Sequence, residues 1–460
     1  MVNSRKLKLS NILSCVENIL REQIRRDDHL VIGLSGGVDS VVLLRILTAL
    51  SAQLGFTLSV LHVNHGISPN ANKWEKFCLH LCSTYGIPIK IAKLKVSRLS
   101  GTSLEAVARD ARYQIFKKLE ADYVILAQHL DDQAETLLLQ LLRGAGVKGL
   151  GAMPVIRNQI PEAGNQTLDP GPQILRPLLN VARGEIEDYA QKNKLCWIID
   201  ESNNDMSFDR NFLRHKIFPL LEKRFPSYRI TFLRTSRHMA EAGCLLDELA
   251  EFDRKECIFS NKLQIEGLRK LSFPRARNLL RYSLAQQGVI LPSAVKLEDI
   301  LRQLLSYRLD SKLQITFGGT EIRCFRGSIH VRRASVSPNK KWKLVWQGEK
   351  QLTIAELGGS VSFMRKKGRG INLQKLKEGA VIFRLRLGGE HIRPDCNRPR
   401  RSLKKLLQEA SFPLWERETL PLLFSGEHLV WAPGIGVDCG FQAGVRDLGL
   451  IVSWHPDHSY

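Results

Sequence analysis

The chain has 460 residues, 43% of them apolar, enough for two or three ordinary hydrophobic cores and unlike a disordered or low-complexity polypeptide. Its formal net charge of +22 favours polyanionic partners, nucleic acid first, although charge alone does not separate these from membrane surfaces or acidic proteins. No apolar stretch approaches the roughly twenty residues needed to span a bilayer, and the nine cysteines, scattered without metal-knuckle spacing, fit a reducing cytoplasm.

Near the start, Ile12, Val16, Ile19 and Leu20 recur at helical spacing behind Arg5, Lys6 and Lys8, which predicts an amphipathic helix and not a secretory signal. From residue 29 to about 151, short β-branched runs alternate with longer helical ones, the pattern of a doubly wound α/β domain whose parallel sheet is covered on both faces. Strands are expected at 29–34, 57–63, 87–94 and 122–128, with 196–199 as a candidate last strand, and helices at 38–50, 103–119, 131–143 and 183–194. Cys78 and Cys82, four apart, are read as small apolar residues on one helix face. The Asn-, Gln-, Gly- and Pro-rich segment 158–173 is expected to be a surface loop.

Leucine-rich helical patterns from 211 to about 305 predict a mainly helical second domain, closed by a small meander of strands at 312–317, 320–325 and 328–333. A linker follows at 335–341, and the remainder reads as a compact α+β module. The expected domains are thus 1–217, 218–334 and 342–460.

The chemistry begins at Ser35-Gly36-Gly37-Val38-Asp39-Ser40, which follows the first predicted strand and opens a helix. Two glycines let the backbone turn tightly around an anion, the helix start offers unpaired N–H groups, and Ser35 and Ser40 add hydroxyls, so the loop can cradle a pyrophosphate. It lacks the lysine and the spacing of a kinase- or GTPase-type P-loop. It resembles the PP-loop of N-type ATP pyrophosphatases. That resemblance implies cleavage of ATP between its α and β phosphates, transfer of AMP to an acceptor oxygen, and a magnesium-related role for Asp39. Gly144, Gly146 and Gly149 also match G-x-G-x-x-G but follow a helix, so they are read as a structural turn.

Further segments carry candidate ligands. His62-Val63-Asn64-His65-Gly66-Ile67 ends the second strand, where open parallel sheets usually bind ligands, and its histidines suit loop donors as readily as substrate contacts. Glu105, Arg109 and Arg112 share one side of a helix, a spacing that equally serves a surface ion-pair lattice. In Ala127-Gln128-His129-Leu130-Asp131-Asp132-Gln133-Ala134-Glu135-Thr136, Asp132 and Glu135 face one way; they could hold a lysine ammonium or a magnesium ion, or merely offset a helix dipole. Arg210 and Arg214, with Asn211 between them, could grip a phosphate and an unstacked base, or belong to a solvated helix start. Residues 384–405 carry Arg384, Arg386, Arg393, Arg398, Arg400, Arg401, Lys404 and Lys405 against Glu390 and Asp395, which predicts a phosphate-binding face.

These segments resemble the tRNA(Ile)-lysidine synthetases: the E-x-x-x-R-x-x-R-Y pattern from Glu105 to Tyr113, the run from Ala127 to Thr136, and Asp200-Glu201-Ser202-Asn203-Asn204-Asp205 with the following Phe208 to Arg214. Arg401-Ser402-Leu403-Lys404-Lys405-Leu406-Leu407, with Pro413, Trp415, Arg417 and Pro421, is similar to that family's C-terminal tRNA-binding module. The resemblance implies an enzyme that adenylates the wobble cytidine of an isoleucine tRNA bearing a CAU anticodon at its C2 oxygen, after which lysine displaces AMP. It assigns catalysis to Asp39, Arg112 and Asp132, ATP binding to the loop from Ser35 to Ser40, magnesium to Asp39, and lysine to Asp132 and Glu135. Asp132 is preferred to Asp131, where the family tolerates change. The tRNA falls to Arg210, Asn211, Arg214, Arg400, Arg401, Lys404 and Lys405. ATP and magnesium are the expected cofactors, the tRNA and free lysine the partners, with no membrane and room for a homodimer. A PP-loop tRNA thiolase is disfavoured by the lack of any C-x-x-C, and a non-catalytic RNA-binding protein by the intact loop and Asp132.

Overall fold

The computed structural model describes residues 12–66, 68–94, 104–157, 171–308, 312–334, 339 and 341–456, apart from the side chains of residues 104–106, 202 and 204. The chain divides into two compact units, Met1–Phe252 and Asp253–Tyr460.

In the first unit the order is α1 (Ile12–Gln23), β1 (His29–Gly33), α2 (Val38–Leu54), β2 (Thr57–Asn64), α3 (Ala71–Tyr85), β3 (Ile89–Lys93), α4 (Leu104–Phe116), β4 (Tyr123–Ile125), α5 (Leu130–Leu142), α6 (Val147–Leu150), β5 (Ile156–Arg157), β6 (Gln173–Leu175) and α7 (Arg183–Lys192). The six strands lie in the order β3-β2-β1-β4-β6-β5, all parallel except β5, which runs antiparallel to β6. Successive residues of β1 face opposite sides: Leu30 and Ile32 join the core under α1, α2 and α7, whereas Val31 joins a second core with Leu61, Val124, Ile174 and Phe116. Helix α2 is buried on most of its circumference, from Val38 through Leu50, which is why it reads as a nearly continuous apolar run and not as an amphipathic stripe.

One expectation for the sheet fails: residues 196–199 form no strand, and the last parallel strand is β6. Ile174 and Leu175 are only two apolar residues beside a Pro- and Gly-rich stretch, so their pattern was too short to separate from the loop. Trp197 packs against the core and Ile198 lies against Gly36, its amide donating to the Gly36 carbonyl at 2.9 Å, while Ile199 is exposed. Most of the expected 158–173 loop lies outside the described residues. Gly144, at a φ of +69°, and Gly146 lie in the turn between α5 and α6, and Gly149 lies within α6.

After α7 come the short helix Asp209–Phe212, a widened π turn at Leu213–Ile217, the helix Phe218–Arg224 and the long helix Tyr228–Cys257. In the second unit, helices Ile265–Lys270, Phe273–Gln286 and Ala294–Leu305 accompany an antiparallel meander of Gln314–Phe317, Thr320–Phe325 and Ser328–Arg333. The C-terminal part holds a five-stranded sheet, in the order Lys343–Val345, Val381–Arg384, Leu422–Ser425, His428–Ala432 and Gly436–Val437, and a four-stranded one. Cys396 and Cys439 form a disulfide there, a pair missed when all nine cysteines were read as scattered thiols, because 43 residues separate the two in sequence. Among the described residues no helix is long and apolar enough to cross a membrane.

Candidate active site

The strand order sets the location. β2 and β3 lie on one side of β1, and β4 and β6 on the other, so the order reverses between β1 and β4. The loop leaving β1 and the segment entering α5 from β4 therefore meet at the carboxyl ends of neighbouring strands, the usual ligand crevice of an open α/β sheet.

Gly36 holds a φ of +90°, and a Cβ there would come within 2.7 Å of Ile198 Cδ1. The serines shape the loop. Ser40 Oγ accepts from the Ser35 and Gly36 amides at 3.3 and 3.2 Å and donates to the Gly37 carbonyl at 3.0 Å, while Ser35 Oγ accepts from the Gly37 amide at 3.3 Å. Ser40 is thus a buried brace of the loop. Val38 starts α2 and turns into the core. A Cβ at Gly36 would also touch Cys78; burial pushes the Cys78 thiol up to about 12 and that of Cys82 to about 11, keeping both protonated and apolar.

Asp39 lies in the first turn of α2, with Oδ1 3.7 Å from His129 Nε2 and without a hydrogen bond although it is buried. Burial raises its pKa, and the proximity of His129 only partly offsets this. His129 is 2% exposed at the start of α5 and stands among three carboxylates, also 3.8 Å from Asp131 and 3.5 Å from Asp132. Sequence reasoning quoted His129 but gave it no role; its position between a strand end and two consecutive aspartates was the available signal. Asp132 caps α5, its Oδ2 accepting the His129 amide at 3.0 Å.

Asp131 serves the scaffold. Its oxygens accept the Arg183 amide at 2.9 Å and Arg229 Nε at 2.5 Å. Burial alone would raise its pKa, but these two donors more than reverse the effect and hold it below the ordinary carboxylate value.

Glu135 is fully buried and, contrary to the expectation of a carboxylate open to an incoming ammonium, already has a cation: Arg214 donates to its Oε1 from Nε at 2.9 Å and from Nη2 at 2.7 Å. Arg214 Nη2 is also 3.7 Å from Asp132. Burial raises the Glu135 pKa against the pull of Arg214, and its Oε2 is buried without a hydrogen-bond partner. Arg214 had been assigned to tRNA; it sits in the π turn, where the extra residue per turn alters which face its side chain takes. Asn211, also assigned to tRNA, is 8% exposed and donates to the Asp205 carbonyl at 2.8 Å, a bond that ties down its own turn. Arg210 lines a cavity beside α5.

Arg112 is exposed on α4 and pairs with His65 at the end of β2, Nη2 to Nε2 at 3.0 Å. Burial, with Arg112 second, lowers the His65 pKa to about 4, so the imidazole is neutral and accepts. His62 bonds the Leu34 carbonyl at 2.8 Å and supports the strand end below the loop.

In the second unit the basic run splits. Lys404 and Lys405 are exposed on the helix Leu403–Glu409, Arg401 is paired with Glu409, and Arg400 lies 3.9 Å from Asp438. Arg384 contradicts the expected phosphate-binding face: its guanidinium lies 3.8 Å from the Phe424 ring centroid, directed inward.

Among the described residues no group of three or more His, Cys, Asp or Glu forms a metal cage. The buried, unbonded Asp39 oxygen beside Asp132 is instead the sparse carboxylate set with which magnesium binds alongside nucleotide phosphates.

Three family models match the chain: a PP-loop domain over residues 8–221, a TilS substrate binding domain over 263–330 and a TilS substrate C-terminal domain over 381–454. A tRNA(Ile)-lysidine synthase of Nitrosomonas europaea is 51% identical over 458 residues, covering 99% of this chain and 98% of that protein. The protein of the same name from Coxiella burnetii is 36% identical, covering 96% and 98%, and that from an Azoarcus species 36%, covering 93% and 92%.

Proposed function

The chain belongs to the tRNA(Ile)-lysidine synthase family, and from that premise we propose that it adenylates the wobble cytidine of an isoleucine tRNA with a CAU anticodon and then joins lysine to C2 of that base. The observation that carries this reading is the approach of Asp39, at the start of a phosphate-cradling loop, to His129 and Asp132 at the start of α5. One crevice thereby offers backbone amides for a polyphosphate and carboxylates for a cation.

The base carbon is a poor electrophile, and an AMP ester on its oxygen supplies a leaving group, dividing one difficult step into two easier ones. The loop from Gly36 to Asp39 receives the pyrophosphate portion of ATP. Magnesium, when bound, neutralises phosphate charge, and Asp39 with Asp132 would hold it. Arg112, kept in place by a neutral His65, supplies positive charge at the end of β2. Lysine arrives protonated, its unperturbed pKa being ~10.4, and attacks only after losing a proton. Asp132, at the start of α5, holds the ammonium and takes that proton, while buried Glu135 keeps Arg214 in place beside it. The chemistry belongs to domain 1–217, and RNA binding to 218–334 and 342–460, in the cytoplasm where the tRNA resides.

Incubation with ATP, radiolabelled lysine and total bacterial tRNA tests the proposal. Label should enter one tRNA, an isoleucine acceptor with a CAU anticodon; ATP-dependent modification without lysine incorporation contradicts it.

A further inference from the structure

Beside α5, a cavity of about 310 Å³ is lined by Arg109, Arg143, Lys148, Arg157, Arg176 and Arg210, and none of its lining residues is acidic. At the rim, Lys148 pairs with Asp247 at 2.5 Å and Arg143 with Asp209 at 3.6 Å. Arg176 is different. It is 1% exposed, and its guanidinium donates to the Gln128 side chain and to the Pro154 carbonyl at 2.9 Å, with the Tyr113 hydroxyl as a further partner. Among the described residues no carboxylate pairs with it. Arg109 and Arg157 add to the same positive field, each over the Tyr113 ring at 5.5 and 5.9 Å.

A buried guanidinium without a counter-charge is costly, and its neighbours increase the cost. A second polar group in the wall points the same way: the Thr136 hydroxyl is buried with no hydrogen-bond partner. A hydroxyl donor and several guanidiniums around one polar cavity are the donor set for an oxyanion. A bound phosphate would offset part of the cavity's positive charge and give Thr136 an acceptor.

We propose that this cavity is a phosphodiester-binding site, seating a backbone phosphate of the substrate RNA next to the target nucleotide, with Arg176 and Thr136 at its floor and Arg157 and Arg210 closing over it. Its place follows from α5, on which Thr136 follows Asp132 by four residues and shares its face, with Arg143 at the end of the helix. One helix would thereby fix the register between the anchored backbone and the reacting base. The inference rests on the reading that the substrate is a tRNA.

The test uses the full chain and an anticodon stem-loop RNA in which single phosphates flanking the target cytidine are replaced, one at a time, by uncharged methylphosphonates. One linkage should weaken binding to the parent by about tenfold, the worth of a charge-assisted hydrogen bond, and that loss should shrink to about twofold or less in Thr136→Val and in Arg157→Gln. Thr136→Val is nearly isosteric and leaves Arg176 in place, so a fold defect does not mask the result. Equal losses in parent and variants at every linkage overturn the proposal. So does a thermal shift of the parent by inorganic phosphate or pyrophosphate that Thr136→Val abolishes while the RNA data show no coupling, since the site then serves a free anion. Lysine incorporation scored with the same parent sample separates the two claims: its absence refutes the functional reading, whereas the linkage coupling alone decides the phosphate site.

Discussion

At Asp39, burial holds the carboxyl's pKa above its ordinary value, while the proposed reaction needs the ionised form to meet magnesium and phosphate. A carboxylate whose folded pKa exceeds its unfolded one, ~3.9 for aspartate, destabilises the fold at any pH above the folded value. That cost fades as pH falls toward the unfolded pKa, where both states carry the proton. Asp39→Asn should therefore raise the thermal midpoint at pH 7.5, with the gain shrinking toward pH 4, while pyrophosphate release falls roughly hundredfold or more. Paired melting curves and a pyrophosphate assay check both halves; a variant no more stable than the parent at neutral pH removes the conflict from this residue. Asp131, two positions from His129, has the opposite balance, its paired carboxylate being held by Arg183 and Arg229, and it belongs to the frame.

Among the elements, the loop between β1 and α2 depends most on one residue. Gly36→Ala would force a side chain into left-handed backbone and against Ile198, a strain of about 1–2 kcal/mol before any clash. We expect ATP to bind about tenfold more weakly, with tRNA affinity unchanged, as equilibrium titration with each ligand would show. This loop was legible in the sequence because a buried strand, two glycines and a helix start fall in immediate succession. β1, β2 and α2 were legible for the related reason that burial on both faces leaves long apolar runs. β6 was not, since three residues beside a proline-rich stretch carry too little pattern. The π turn at Leu213–Ile217 was equally hidden: it looks helical, yet it brings Arg214 to Glu135 and Asp132. His62 and His65 could not be told apart by sequence either, and only their partners separate a strand support from the neutral acceptor of Arg112.

At the scale of the whole molecule, the net charge of +22 correctly announces a polyanion but does not say which cations face it. Arg384 packs on Phe424 and Arg401 is occupied by Glu409, whereas Arg393, Arg398, Arg400, Lys404 and Lys405 are exposed, Arg398 and Arg400 with Asp395 and Asp438 nearby. Replacing both lysines by alanine should reduce the slope of log affinity for tRNA against log salt by up to about two, with adenylation at saturating tRNA retained. An unchanged slope would make this face a solvated surface. ATP should activate the tRNA and not the amino acid, and withholding lysine distinguishes the two. With ATP labelled at the α phosphate and purified isoleucine tRNA bearing the CAU anticodon, label should accumulate on the tRNA, pyrophosphate should be released, and added lysine should discharge the label as AMP. Label that never enters the tRNA, or that enters lysine without tRNA present, would contradict the account.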